Sequence, residues 1–450
     1  MLNYILDLLL KQIFGQPFLL MAIIVFIGYV AMKQKISKAI TGAAKASIGV
    51  IVMGMGSGAL IANFGKLLTA LQNATGIQGA GLNTYPTMTA AYEKMDKILG
   101  DGTGASWGIY TLLVAFILNL VLVALRKFTK IRAVYLTGNA MIVQAGISAY
   151  IVWRFLGLGM IPTVLIAAAV TALYWGICST LLIKPTHEIT GADFTIAHQQ
   201  MVVSYIAYKV APKLGHPDKD DIEKKKMPES LKFLQDNVIA TALVMFISTA
   251  IIFLVIGGEQ IDWLRSADGF NQGELKNNIV CLVWIGITLT ANSVVLLYGV
   301  RMFVGELMIS FKGISEKLLP GAVAGVDCAA MFAFAPKSVV LGLLFGALGQ
   351  IIGLGGLLIF KSPIFLVPGF IPLFFDNATI AIFANKFGGW KAAGIICTVN
   401  GIIQILGSAL AVQMLQLTWW QGSADYATLW VAIIAIFKGI GQLFGIPIAG

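Results

Sequence analysis

Apolar residues run along this chain in long unbroken blocks such as Val114–Leu125, Ile166–Tyr174 and Ile247–Ile256. A helix needs about 20 mostly apolar residues to cross the hydrocarbon of a bilayer. Ten segments meet that length: 17–32, 44–64, 107–125, 134–156, 158–182, 238–256, 279–305, 338–360, 391–417 and 428–448. Four further stretches are apolar but interrupted: 76–92, 186–212, 316–336 and 363–386. These read as re-entrant hairpins, since irregular backbone at membrane depth survives only inside protein or along a cavity. The fold expected is an all-α polytopic membrane protein.

Composition strengthens that reading. Of 450 residues, 58% are hydrophobic and 12% charged, about half the charge of a soluble domain. A water-soluble enzyme, a secreted scaffold and a disordered chain are all excluded. The barrel alternative lacks its ten-residue alternating strands. Cys178, Cys281, Cys328 and Cys397 are scattered and apolar-flanked, which indicates neither a disulfide framework nor a zinc site. No cleavable signal peptide is expected, and Met1–Leu10 reads as an amphipathic start.

The net charge of +10 belongs to basic loops and not to nucleic-acid binding. Lys33, Lys35 and Lys38 follow the first span, and Arg126, Lys127, Lys130 and Arg132 follow the third. The longest polar segment, Asp218–Lys232, adds five lysines. With alternating spans all three lie on one side, which the positive-inside bias makes cytoplasmic. The acidic segment Glu259–Glu274 then faces outward, as does the amino terminus.

Polar side chains inside the bilayer are costly and invite a functional reading. The stretch Lys184–Gln200 ends in His198, Gln199 and Gln200, a trio suited to a polyhydroxylated ligand; its alternative is a loop with a capped helix. Asp327 is a lone acid between Pro320 and Pro336, either a ligand group or a helix cap. Pro368–Trp390, with Asp376, Asn377 and Asn385, reads as a gate or scaffold hairpin. Asn139 and Gln144 either face one cavity or join helices. Tyr85 either meets a ligand or anchors at the interface, and Arg301 with Glu306 reads as an ion pair or a snorkelling arginine. No Walker loop, voltage-sensor arginine array or potassium filter is present.

The sequence resembles the ascorbate-specific permease component (enzyme IIC) of the bacterial phosphoenolpyruvate-dependent phosphotransferase system. The matching blocks are Leu136-Thr-Gly, Leu173-Tyr-Trp-Gly, Lys184-Pro-Thr, His198-Gln-Gln, Tyr208-Lys-Val-Ala-Pro, Gly299-Val-Arg-Met-Phe-Val, Asp327-Cys-Ala-Ala, Pro368-Gly-Phe-Ile-Pro, and Asn377-Ala-Thr-Ile through Phe387-Gly-Gly-Trp. The resemblance implies a multi-pass permease of the bacterial inner membrane with about eleven helices, forming one domain over residues 1–450. Within it a substrate core and a dimerisation scaffold interleave, and the core moves like an elevator in a homodimer. It also implies L-ascorbate or a related sugar acid as substrate, with cytoplasmic IIB and IIA proteins as partners. No cofactor or metal is implied, and the chain is not itself an enzyme. The implied substrate-binding residues are Tyr85, Asn139, Gln144, His198, Gln199 and Asp327. Asn139 and Val143-Gln144 stand where the family pattern places a histidine and then a glutamine pair.

The competing reading is a proton-coupled secondary transporter of a small polar anion, with Asp327 or His198 as the proton site. A passive channel is the third class; it would never exceed the external concentration. The charge pattern yields a direct test of orientation. A cysteine placed at Ser230 is expected to resist an impermeant thiol reagent in intact cells, and labelling from outside would reverse the topology.

Overall fold

The computed structural model describes residues 17–76, 78–225, 233, 236–319 and 321–449. The amphipathic start at Met1–Leu10, together with Lys226, Ser230, Lys232 and Pro320, lies outside these residues. The long helices form where the apolar blocks lie. They are α1 (Pro17–Ala31), α2 (Ile36–Thr75), α3 (Thr84–Leu99), α4 (Thr103–Ala124), α5 (Gly138–Leu156) and α6 (Met160–Leu181). After α7 (Met201–Leu214) come α8 (Asn237–Arg265), α9 (Asn278–Leu318), α10 (Pro336–Ile359), α11 (Asn377–Leu415) and α12 (Leu429–Leu443). Among the described residues, eight helices are long and apolar enough to cross a membrane, so the chain is a mostly helical, multi-pass membrane protein.

Three of the ten expected spans come out differently. The segment 134–156 is α5, nearly all of whose residues are buried in protein, and it is not one of the eight. The first span is the 15-residue helix α1. The end of the hairpin 363–386, from Asn377, and the span 391–417 fuse into α11, which bends at Gly389. Gly389 has φ of 81°, and a Cβ there would come within 2.6 Å of the Asp220 side chain, so glycine alone fits the bend.

The described residues include six short strands that no alternation in the sequence announces, four of them inside the interrupted stretches. Strands β1 (Gln78–Leu82), β5 (Ile364–Val367) and β6 (Trp419–Trp420) form one parallel sheet in the order β5-β1-β6. Strands β2 (Ala133–Tyr135), β3 (Phe194–Ile196) and β4 (Val323–Val326) form another in the order β2-β4-β3. Exchanging the two halves of the chain carries β1, β2 and β3 onto β4, β5 and β6, and converts one sheet into the other. The 40-residue α2 before β1 likewise matches the 41-residue α9 before β4. The hairpin-like segments of the two halves therefore follow a shared plan that the side chains do not reveal.

The helices sort into two groups. Helices α1, α2, α8 and α9 pack chiefly on one another; the other group comprises the sets α3–α6 and α7, α10 and α11, which α12 and a smaller α6–α7 contact join. Close contact rests on small residues, as expected where lipid supplies no hydrophobic drive between helices. A methyl at Gly349 of α10 would sit 2.1 Å from the Thr398 carbonyl oxygen of α11. One at Gly299 of α9 would sit 2.2 Å from the Met53 backbone nitrogen of α2. Gly349→Ala should therefore lower the melting temperature of the purified protein, losing roughly 1–3 kcal/mol by overpacking. Gly355→Ala, with nothing within 4 Å of the added carbon, should not. Equal melting of both variants would contradict this packing.

Candidate functional site

Each strand leads directly into a turn or helix start, and the polar stretches singled out from sequence occupy these junctions. Val326 of β4 is followed by Asp327, which caps the 3-10 helix Cys328–Phe334 by accepting from Ala329 N at 2.9 Å. Beside it, β2 delivers Asn139 in the first turn of α5, whose Nδ2 donates to Asp327 Oδ2 at 3.4 Å. The junction after β1 brings Tyr85 against Asn139 and close to Asp327. Asn83 holds that junction by capping α3. The junction after β3 delivers His198, so the third strand of the sheet supplies the third side of the cluster.

The hydrogen-bond network assigns the His198 tautomer. Gln200 Nε2 donates to Thr379 Oγ1 at 2.9 Å, so its Oε1 is the atom 2.7 Å from His198 Nδ1. An amide oxygen only accepts, hence Nδ1 carries a proton, and in the neutral ring Nε2 is the acceptor. Phe375 of the bend before α11 stacks on the imidazole at 6.3 Å between centroids. His198 is 5% exposed and Tyr85 4%, while Asn139 and Asp327 are half-buried. The centre thus offers a histidine nitrogen and a carboxylate as acceptors, walled by aromatic rings.

Several polar atoms at these junctions have no protein partner. Thr84 Oγ1, Thr137 Oγ1, Asn139 Oδ1 and both ends of the Gln421 amide are buried and unbonded. They follow β1, β2 and β6 by two residues or fewer, except Asn139, which follows β2 by four. An unmade hydrogen bond at a buried group costs about 1–3 kcal/mol, so the junctions suit a polar ligand. The α5 helix also starts there without a side-chain cap, leaving its positive end free for an anion.

Two of the sequence candidates are engaged elsewhere. Gln144 is fully buried, donates to Tyr135 Oη at 3.1 Å and accepts from Trp175 Nε1. Gln199 accepts from Ser423 Oγ at 2.7 Å, and its carbonyl accepts from Asp425 N at 3.0 Å. The structure therefore brings Tyr85, Asn139, His198 and Asp327 together, with Gln199 tying β3 to the β6 junction. The first part of Lys184–Gln200 is the helix Ile183–Thr190, which has no side-chain cap, buries Pro185 and Thr186 and carries a Lys184–Glu188 pair. Arg301 is exposed and does not pair with Glu306, which instead meets Tyr29 at 2.5 Å and Lys45 at 3.5 Å.

Sequence reasoning missed Asp425. Its carboxylate accepts from Tyr174 Oη at 2.6 Å and from the Val202 and Val203 amides, capping α7 from a loop more than 200 residues away. The only available signal was an acid in the polar break Gln421–Thr428 between apolar runs. Asp376, assigned to a gate or scaffold hairpin, accepts from Ala424 N at 2.6 Å and so fastens that same loop. Asn377 joins Gln404 and Asn400 in a buried amide network between the two ends of α11.

Comparison with known proteins bears on this geometry. A family described as the PTS system sugar-specific permease component (EIIC-GAT) matches residues 12–433. The chain is similar to the ascorbate-specific PTS system EIIC component of Mycoplasma pneumoniae, with 30% identity over 437 residues. That match covers 90% of this chain and 66% of the relative, so the chain spans just under two-thirds of the relative's length.

The buried partners of Gln144 set a testable expectation. Gln144→Met leaves Tyr135 and Trp175 unpaired and should destabilise the protein by about 1–3 kcal/mol per orphaned group. Ligand affinity of the folded fraction should stay near that of the parent. Unchanged melting with lost affinity would return Gln144 to the ligand.

Proposed function

The chain belongs to the sugar-specific permease components of the phosphotransferase system, and from that premise we propose that it carries L-ascorbate or a related sugar acid into the cell. In this reading a separate IIB protein, charged by IIA, phosphorylates the sugar at the cytoplasmic face of a bacterial inner membrane. The chain itself breaks no covalent bond. The observation that supports it is the convergence of Tyr85, Asn139, His198 and Asp327 at unpaired strand-to-helix junctions. Sugar hydroxyls donate to His198 Nε2 and to the Asp327 carboxylate, the two acceptors of the centre. Carboxylate or enolate oxygens face the uncapped start of α5 and the amide nitrogens there. Placing the anion at that end keeps it apart from Asp327, which would repel it.

The two helix groups support an elevator in which α4–α7, α10 and α11 carry the sugar past α1, α2, α8 and α9. The latter group is the proposed dimer scaffold. Residues Asp218–Lys225 are strapped to the moving group: Asp221 accepts from Asn385 Nδ2 at 2.7 Å, and Glu223 accepts from Ser338 N at 2.7 Å. On the cytoplasmic side assigned by charge, this strap is the proposed docking face for IIB.

Asp327→Asn tests the assignment, because Asn keeps one acceptor oxygen at similar size. Binding should weaken by roughly 1.5–3 kcal/mol for the lost charge-assisted bond, and uptake in cells carrying IIA and IIB should persist. Parental affinity together with loss of uncoupler-sensitive accumulation would instead make Asp327 a proton carrier and the protein a proton-coupled transporter.

A further inference from the structure

The fold places one cysteine where the scatter of four cysteines along the chain shows nothing. All four are free and buried. Among the described residues, Cys328 alone lies beside a histidine and a carboxylate: the ligand atoms of His198, Asp327 and Cys328 all fall within 4.8 Å of one another. A tetrahedral zinc site holds sulfur at about 2.3 Å and nitrogen or oxygen at about 2.0–2.2 Å from the metal, so its ligands sit a little closer together than this limit. Side-chain rotation about Cα–Cβ covers such a difference.

We propose that this triad binds a thiophilic divalent cation, with zinc as the type case, and that the bound cation excludes the sugar. Three features point to it. The Gln200 oxygen, 2.7 Å from His198 Nδ1, fixes the proton there, which leaves Nε2 of the neutral ring to ligate a metal and supplies the outer-shell partner that such histidines require. The Ala329 amide at 2.9 Å and Asn139 similarly hold Asp327. Charge also balances: Zn²⁺ displaces the thiol proton to solvent and meets one thiolate and one carboxylate, so the site becomes neutral inside a low-dielectric protein. Three protein ligands leave the fourth position open to water, as in exchangeable zinc sites. Cation binding stands independently of the sugar assignment. The exclusion rests on it, because sugar and metal would use the same lone pairs of His198 and Asp327.

The test uses the full-length purified chain without sugar. Calorimetric titration with zinc chloride, repeated in buffers of different ionisation enthalpy, should give one ion per chain with release of about one proton. Cadmium should produce a thiolate-to-metal charge-transfer absorption. Both Cys328→Ser and Cys328→Ala, if they melt like the parent, should lose the absorption and weaken zinc binding by at least about tenfold. Cys178→Ser should behave as the parent. Zinc binding unchanged in both Cys328 variants, as at the exposed His187–Asp193 pair, would overturn the proposal, and so would no zinc binding by the parent. If zinc binds as described while L-ascorbate binds equally well with and without it, the sugar assignment falls and the cation site stands.

Discussion

Everything in this molecule depends on satisfying backbone hydrogen bonds away from water. A helix does so within itself, but a strand cannot, and an unpaired strand in lipid would leave each amide and carbonyl at a cost of several kcal/mol. The described residues nevertheless include six strands, each of two to five residues. They are tolerated because each half of the chain lends its first strand to the other half, where it becomes the central strand of a sheet. Neither half can complete its own hydrogen bonds, so the two halves must fold against each other.

That exchange also creates the site. A parallel sheet aligns the carboxyl ends of its strands on one side, so residues distant in sequence meet there without a long loop. Asn139, His198 and Asp327 follow β2, β3 and β4 and meet for this reason. The same geometry starts helices at the junctions, whose free amides complement an anion. Where the protein needs rigidity it spends its polar groups internally, as at Asp425 on the start of α7 and at the Asp376–Ala424 contact. At the strand-to-helix junctions it leaves them unpaired, as at Thr137 and Gln421.

The glycine-lined contacts serve a different purpose. Gly342, Gly346 and Gly349 bring α10 so close to α11 that an added carbon at each would fall within 2.4 Å of α11 atoms. Such contacts leave no room to slide one helix past the other. The bend at Gly389 lies directly against Asp220 of the strap.

The sequence alone determined the membrane class, about half of the spans to within a few residues, and four of the places where helices break, because hydrophobic runs and proline–glycine interruptions are local signals. It also singled out Tyr85, Asn139, His198 and Asp327, which the fold brings together, since polar groups at membrane depth stand out against their neighbours. Strands of three residues carry no readable period, and their partners lie far along the chain, so pairing, sheet order and the exchange between halves came only from tertiary structure. The same limit separates Asn139 from Gln144. Both are amides near the start of one helix, but the helical twist turns Gln144 onto Tyr135 and Trp175 while Asn139 reaches Asp327. Which polar group is spent and which is left free depends on neighbours that only the folded chain supplies.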